Sequence, residues 1–182
     1  MPMNNTATVP EPVIWITGFS CSGKTTVAHL LRDRFVANGQ RPVVLDGDAM
    51  RAVLGREYTY SNEARLELAW IYARLCRQIS SQSVPVICAT ISMFHEVRAW
   101  SRANTPAYHE IYLRVPVGQR TARDSKGLYA AAAANKLASP IVGFDGNAEE
   151  PISPDLTIEN WGTISADQTV DAIWQLLHHT RG

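Results

Sequence analysis

The run Gly18-Phe19-Ser20-Cys21-Ser22-Gly23-Lys24-Thr25 limits what this chain can be more than any other stretch. Two glycines separated by four residues and followed by Lys and Thr form the pattern of a phosphate-binding loop. Such a loop is free of large side chains, so successive backbone N–H groups aim at phosphate oxygens, and the helix that follows offers its positive end. Lys24 supplies a mobile point charge, and Thr25 puts a hydroxyl where a Mg²⁺ bridging the β- and γ-phosphates would sit. Before the loop, Val13-Ile14-Trp15-Ile16 reads as a buried strand; after it, Val27, Leu30, Leu31 and Phe35 recur at helical spacing. Strand, loop and helix in that order are the context the pattern requires, and they point to an ATP-using enzyme.

The rest of the chain alternates in the same way. Arg41 to Leu45 predicts a second strand ending in Asp46-Gly47-Asp48, followed by a short helix over Ala49 to Leu54. Gly39 marks the stop of the helix before it. From Ser61 to about Ser80 the positions Leu68, Ala69, Tyr72, Leu75, Cys76 and Ile79 form one apolar helical stripe, with Ser61 as N-cap. Val84 to Ile91 predicts a third strand with Ser92 at its carboxyl end, Phe94 to Arg102 a helix, Glu110 to Val115 a fourth strand and Val117 to Arg123 a helix. Residues 124–154 mix an alanine run with glycines and prolines and read as a lid inserted into the domain. A last strand over Asp155 to Ile158 and a helix over Ala166 to Leu177 close the chain. The expected fold is therefore α/β: one domain over 13–182, a parallel sheet with helices on both faces, and a loose, disordered tail over 1–12.

Composition narrows the function classes. Seventeen basic and seventeen acidic residues cancel, so neither nucleic acid nor a membrane surface is expected as partner. No apolar run approaches the length of a bilayer span. Three cysteines without metal-ligand spacing fit a reduced, cytoplasmic setting. Cys21, in the phosphate loop near a helix N-terminus, reads either as a redox-sensitive thiol or as an ordinary loop residue.

Asp46-Gly47-Asp48-Ala49-Met50-Arg51 and Arg123-Asp124-Ser125-Lys126-Gly127-Leu128-Tyr129 together make the chain resemble the adenylyl-sulfate kinase family of P-loop kinases. That family phosphorylates the 3′-hydroxyl of adenosine 5′-phosphosulfate, and its lid motif is Arg-Asp-Pro-Lys-Gly-Leu-Tyr. The anchors run in family order from about Val13 to Glu159. The resemblance implies ATP and Mg²⁺ as cofactors, a nucleotide-like small-molecule acceptor and a homodimer. It places Gly18, Ser20, Cys21, Ser22, Gly23, Lys24, Thr25 and Thr26 around the ATP phosphates, with Arg123 beside the adenine. Thr25 and Asp48 become the metal-organising pair, and Asp48, Lys24 and Lys126 the catalytic groups. Asp48 has a competing reading as a helix N-cap, and Asp46 is expected to stand behind the contact layer. Arg51, Tyr60, Arg65, Leu68, Ile91, Ser92, Lys126 and Leu128 fall on the acceptor side.

On that acceptor side the chain departs from the family. Leu68 stands where the family carries an acceptor-binding asparagine, and Ala64 replaces an aspartate before Arg65. After Ile91-Ser92 the family has Pro and then an Arg two residues along, whereas this chain has Met93, Phe94 and His95. The lid's Phe-Thr-Gly-Ile appears as Ile141-Val142-Gly143-Phe144. Loss of a hydrogen-bonding partner changes discrimination by orders of magnitude, so these changes point to a re-specified acceptor, such as a cytidine diphosphate amidate derivative; drift around the same substrate is the competing reading. His95 is either a new acceptor contact or a helix surface residue. Two further classes are a catalytically inactive nucleotide-binding regulator and a GTPase switch. The switch lacks its base-reading motif, since Asn135-Lys136-Leu137-Ala138 has no aspartate.

Overall fold

Strands that are apolar on both sides must lie between two layers of helix, and β1 sets this arrangement. Its alternate residues Val13 and Trp15 face one helical layer, Ile14 and Ile16 the other, and all four are buried. The structure, a computed structural model, describes residues 9–54, 61–124, 127, 129, 131 and 148–179. Its elements are β1 (Val13–Thr17), α1 (Lys24–Ala37), β2 (Val43–Asp46), α2 (Gly47–Leu54), α3 (Asn62–Ser80), β3 (Val86–Ala89), α4 (His95–Asn104), β4 (Tyr108–Arg114), α5 (Val117–Ala122), β5 (Leu156–Glu159) and α6 (Ala166–His179). The five strands are parallel in the order β2-β3-β1-β4-β5. From β1 the chain passes to the edge strand β2, returns to β3 between β2 and β1, and then crosses to β4 and β5. The connections leaving β1 and β3 thus run in opposite directions, and their carboxyl ends form the switch point where such sheets bind ligands.

One face carries α1 and α6 over Ile14, Ile16, Ile87, Ile111 and Leu113, and Phe35 meets Trp174 edge-on at 5.1 Å. The other carries α3 and α4 over Trp15, Leu45 and Cys88, with Trp70 edge-on to Trp100 at 5.7 Å. Local signals hold as expected. Ser61 accepts a bond from the Ala64 N–H at 3.2 Å and caps α3. Gly39, at φ 80, ends α1 beyond Asn38.

Strand ends differ from the sequence expectation. β3 stops at Ala89 although the Thr90 N–H still bonds Ile16, because the chain then turns away at Ser92, whose φ of 30 is left-handed. β4 begins at Tyr108, since Tyr108 and His109 pair with Val13 and Ile14. Glu11 and Pro12, assigned to the tail from sequence, belong to the packed body: Glu11 bonds Ser80 in both directions and the Pro12 carbonyl accepts from Val86. Most of the expected lid, and Ile141 to Phe144 within it, lies outside the described residues. Among those described, no helix is long and apolar enough to cross a membrane.

A buried charge network locks the β4 side. The Arg98 guanidinium lies 3.0 Å from the Glu110 carboxylate, both side chains nearly water-free, and Arg102 bridges Glu110 and Asp155 at 3.3 and 3.0 Å. Burial pushes the Glu110 carboxyl up and the Arg98 guanidinium down, against the mutual attraction of the pair. Removing Arg98 leaves the buried Glu110 carboxylate with only the more exposed Arg102 as its charge partner, at 3.3 Å. Arg98→Met is therefore expected to cost about 3–5 kcal/mol of folding free energy, read from urea unfolding midpoints.

Candidate nucleotide and acceptor site

The loop between β1 and α1 needs glycine at both of its marked positions. A Cβ on Gly18 would approach the Leu113 carbonyl to 2.7 Å, and one on Gly23, whose φ is 90, would approach the Asn160 amide to 2.8 Å. Cys21 also takes a left-handed φ of 62, which is strained for a side-chain residue. Its Sγ stands 4.0 Å from an Asp124 carboxylate oxygen. The loop is braced from below. The Asn160 side-chain amide donates to the Ser22 carbonyl at 2.7 Å, while its own oxygen accepts from Thr169 at 2.9 Å and its backbone carbonyl accepts from Arg123 at 2.9 Å. Asn160 thus ties the loop, the Arg123 guanidinium and α6 together. Sequence reasoning missed it, because its only local signal is a polar residue just past β5.

Lys24 curls back over the loop and donates to the Phe19 carbonyl at 2.8 Å, next to the Ser22 hydroxyl at 3.5 Å. Burial of the ammonium lowers its pKa to about 8, although Asp46 and Asp48 pull the other way. Thr25 and Thr26 are exposed at the start of α1. The Thr25 hydroxyl donates to Asp46 Oδ2 at 2.7 Å, and Asp46 Oδ1 accepts from the backbone N–H groups of Asp48 and Ala49 at 3.0 and 3.3 Å. Asp46 therefore caps α2 and meets Thr25; the sequence reading gave Asp48 the pairing with Thr25, with the helix cap as its competing role, and placed Asp46 behind the contact layer. Asp48 stands exposed in the first turn of α2, close enough for its charge to act on Lys24.

On the acceptor side, Tyr72 donates to the Gly47 carbonyl at 3.3 Å, and the half-buried Arg51 acts electrostatically on the Tyr72 hydroxyl. Burial pushes that hydroxyl up to about 12. Arg65 lies half-buried in the first turns of α3. Leu68 is 1% exposed and packs in the core with Trp15 and Tyr72, so it offers no surface to a ligand and its expected acceptor contact is corrected to core packing. Ile91 and Met93 pack with Phe19 and Tyr112 beneath the loop. The Ile91 carbonyl accepts from Thr17 at 2.5 Å. Ser92 shares a hydroxyl–hydroxyl bond of 2.8 Å with Thr90. His95 is no plain surface residue: Arg98 lies 2.8 Å from its Nδ1 and, being a pure donor, makes Nδ1 the acceptor and leaves the proton on Nε2. Glu149 bonds the His95 N–H with its side chain and accepts from Arg98 at 2.7 Å through its carbonyl. Tyr60, Lys126 and Leu128 lie outside the described residues.

Comparison with known proteins agrees with the fold. The family model described as adenylylsulphate kinase matches residues 11–159. The cytidine diphosphoramidate kinase of Campylobacter jejuni is 34% identical over 161 residues, covering 88% of this chain and 93% of its own length. The adenylyl-sulfate kinase of Paraburkholderia xenovorans is 36% identical over 148 residues, covering 81% and 82%. Among solved structures, the Mycobacterium tuberculosis APS kinase CysC in complex with AMPPNP and APS superposes with a TM-score of 0.85 at 28% identity, covering 93% of this chain and 98% of the other.

The Lys24 environment sets a pH dependence. Above about pH 8 the free protein holds this lysine neutral, whereas a bound polyphosphate favours the cation and raises its pKa. Metal-free ADP is therefore expected to bind with proton uptake at pH 8.5 and to weaken as pH rises. Calorimetric titration in buffers of different ionisation enthalpy checks this: heats that do not depend on the buffer would show that the lysine does not titrate.

Proposed function

The chain belongs to the adenylylsulphate kinase family and is an ATP-using kinase of that type; from this premise we propose that it moves the γ-phosphate of ATP to a hydroxyl of a nucleotide other than adenosine 5′-phosphosulfate, with a cytidine diphosphate amidate as the favoured class. The observation that carries the transfer chemistry is the meeting of Thr25 and Asp46 at 2.7 Å beside Lys24. A hydroxyl and a carboxylate at the carboxyl edge of the sheet are hard oxygen donors of the kind Mg²⁺ takes, so the residues fit that ion. Thr25 and Asp46 would hold it, with Asp48 close by. Bound there, Mg²⁺ would supply neutralising charge to the transferring phosphate.

The chain's own groups do the rest. Backbone N–H groups of the loop and Lys24 hold the phosphates in line, and Arg123, fixed by the Asn160 carbonyl, flanks the nucleotide. Asp48 orients the acceptor hydroxyl and takes its proton late, as a loose phosphoryl transition state allows. One P–O bond forms to the acceptor oxygen, and the bond to ADP breaks. In the family motif Lys126 reaches the phosphates from the lid.

Two features support a re-specified acceptor. Leu68 is sealed in the core where the family has a polar contact, and His95, held by Arg98, presents an Nε2 donor where the family has arginine. The similarity to the cytidine diphosphoramidate kinase favours the same class. Adenosine 5′-phosphosulfate is the second reading, favoured by the family match itself.

ADP release with ATP and Mg²⁺ is to be compared across adenosine 5′-phosphosulfate and cytidine diphosphate derivatives, with product mass locating the phosphate. Turnover of the cytidine compound alone is the expected result; turnover confined to the phosphosulfate sinks the acceptor assignment. Asp48→Asn is expected to lower kcat by about 10²–10⁴-fold while ATP still binds.

A further inference from the structure

Among the described residues two arginines are almost completely buried, and they are treated differently. Arg98, 4% exposed, has the Glu110 carboxylate at 3.0 Å. Arg120, 5% exposed, has no aspartate or glutamate within ion-pair distance among the described residues. Its Nε–H also lacks a hydrogen-bond partner there. A guanidinium does not shed its proton, so burial without a counter-ion is costly unless an anion arrives from elsewhere.

The surroundings of Arg120 identify that anion. The guanidinium lies over the Phe19 ring, 4.3 Å from its centroid, and donates to the Tyr129 hydroxyl at 3.0 Å. Tyr129, itself 2% exposed, donates in turn to the Ser20 carbonyl at 3.2 Å. Phe19 and Ser20 are loop residues, so Arg120 sits against the underside of the phosphate loop. Its positive charge also acts on Lys24. The aromatic face below and the tyrosine oxygen beside it compensate the cation only in part.

We propose that Arg120 is a positioning residue of the phosphate site, a buried cation beneath the loop whose counter-charge, absent among the described residues, is supplied by the polyphosphate of the bound nucleotide. Through Phe19 and Tyr129 it also holds the loop backbone in the shape that receives phosphate. The assignment rests on the kinase reading of the loop and extends it to a residue outside both the loop and the lid motif. Charge inside a partly dry site acts over several ångströms with far less screening than at the surface, so Arg120 need not touch the phosphates to strengthen their binding.

The test is calorimetric binding of ADP to the purified full chain and three variants. Arg120→Met keeps the bulk and removes the charge; Arg120→Lys keeps the charge and loses the planar fork. Arg120→Met is expected to bind ADP about tenfold or more weakly and with a smaller dependence on salt, while Arg120→Lys recovers affinity to within about threefold of the parent. Should the methionine variant fail to fold, Arg120→Gln is the uncharged substitute, with the same expected loss. Parent affinity in a folded, uncharged variant overturns the proposal. So does a lysine variant as weak as the neutral one, which would assign the effect to packing rather than charge. Lys24→Ala separates this from the reading beneath it: if the parent binds ADP, Lys24→Ala does not, and Arg120→Met is unaffected, the phosphate loop stands and Arg120 has no part in it. If the parent itself fails to bind ADP, both fall.

Discussion

The Asp46 carboxylate joins the two halves of the site. One oxygen takes the Thr25 hydroxyl and the other takes the first free N–H groups of α2. The phosphate loop, the end of β2 and the start of α2 are thereby fixed by a single side chain. A carboxylate holding several donors is well satisfied without a cation, so the pocket keeps its geometry before ligands enter. Preorganisation of this kind matters most for phosphoryl transfer, where positioning and electrostatics supply most of the catalysis.

The sheet order makes that junction possible. β3 lies between β2 and β1, so the carboxyl end of β3, with Thr90 to Ser92, is set between the loop and Asp46. The side chains there support one another: Thr17 holds the Ile91 carbonyl, Met93 fills the space beneath Phe19, and Arg98 fixes both His95 and the Glu149 carbonyl. Below, Asn160, just past β5, and Arg120, in α5, brace the loop. The loop is therefore supported from two sides, by groups that never meet one another in the sequence.

What was legible in the sequence was local. Gly18 and Gly23 are demanded by close approaches of backbone and amide, Ser61 by a free helix N–H, and Gly39 by a left-handed turn; each reports its role within a few residues. The α/β fold with a parallel sheet followed from the alternation of buried strands and helices together with the family anchors, whereas the strand order β2-β3-β1-β4-β5 depends on long-range pairings that leave no local trace. The choice between Asp46 and Asp48 was not legible, because both stand at the same strand end and only the start of α2 at Gly47 decides which one caps it. Leu68 carried two conflicting signals, a family position and an apolar stripe, and packing sided with the stripe. Asn160 and Arg120 were invisible, since a contact between Asn160 and Ser22 leaves no periodic trace in the chain. Arg120, in a short polar helix, reads like any solvated arginine until its burial is known.

β1 pairs with β3 through Val13 and Val86, and with β4 through Val13 and Tyr108. The strand that carries the phosphate loop is thus held entirely by partners made much later in the chain. Such distant pairings are slow to form, because the entropy of closing long loops precedes any reward. During folding, competence to bind a nucleotide must then come late, after the chain through β4 has assembled. A ligand that recognises only this finished centre stabilises the native state alone, by about 2.7 kcal/mol at a hundred times its dissociation constant. Cellular nucleotide would in that way favour completed chains over partly folded ones.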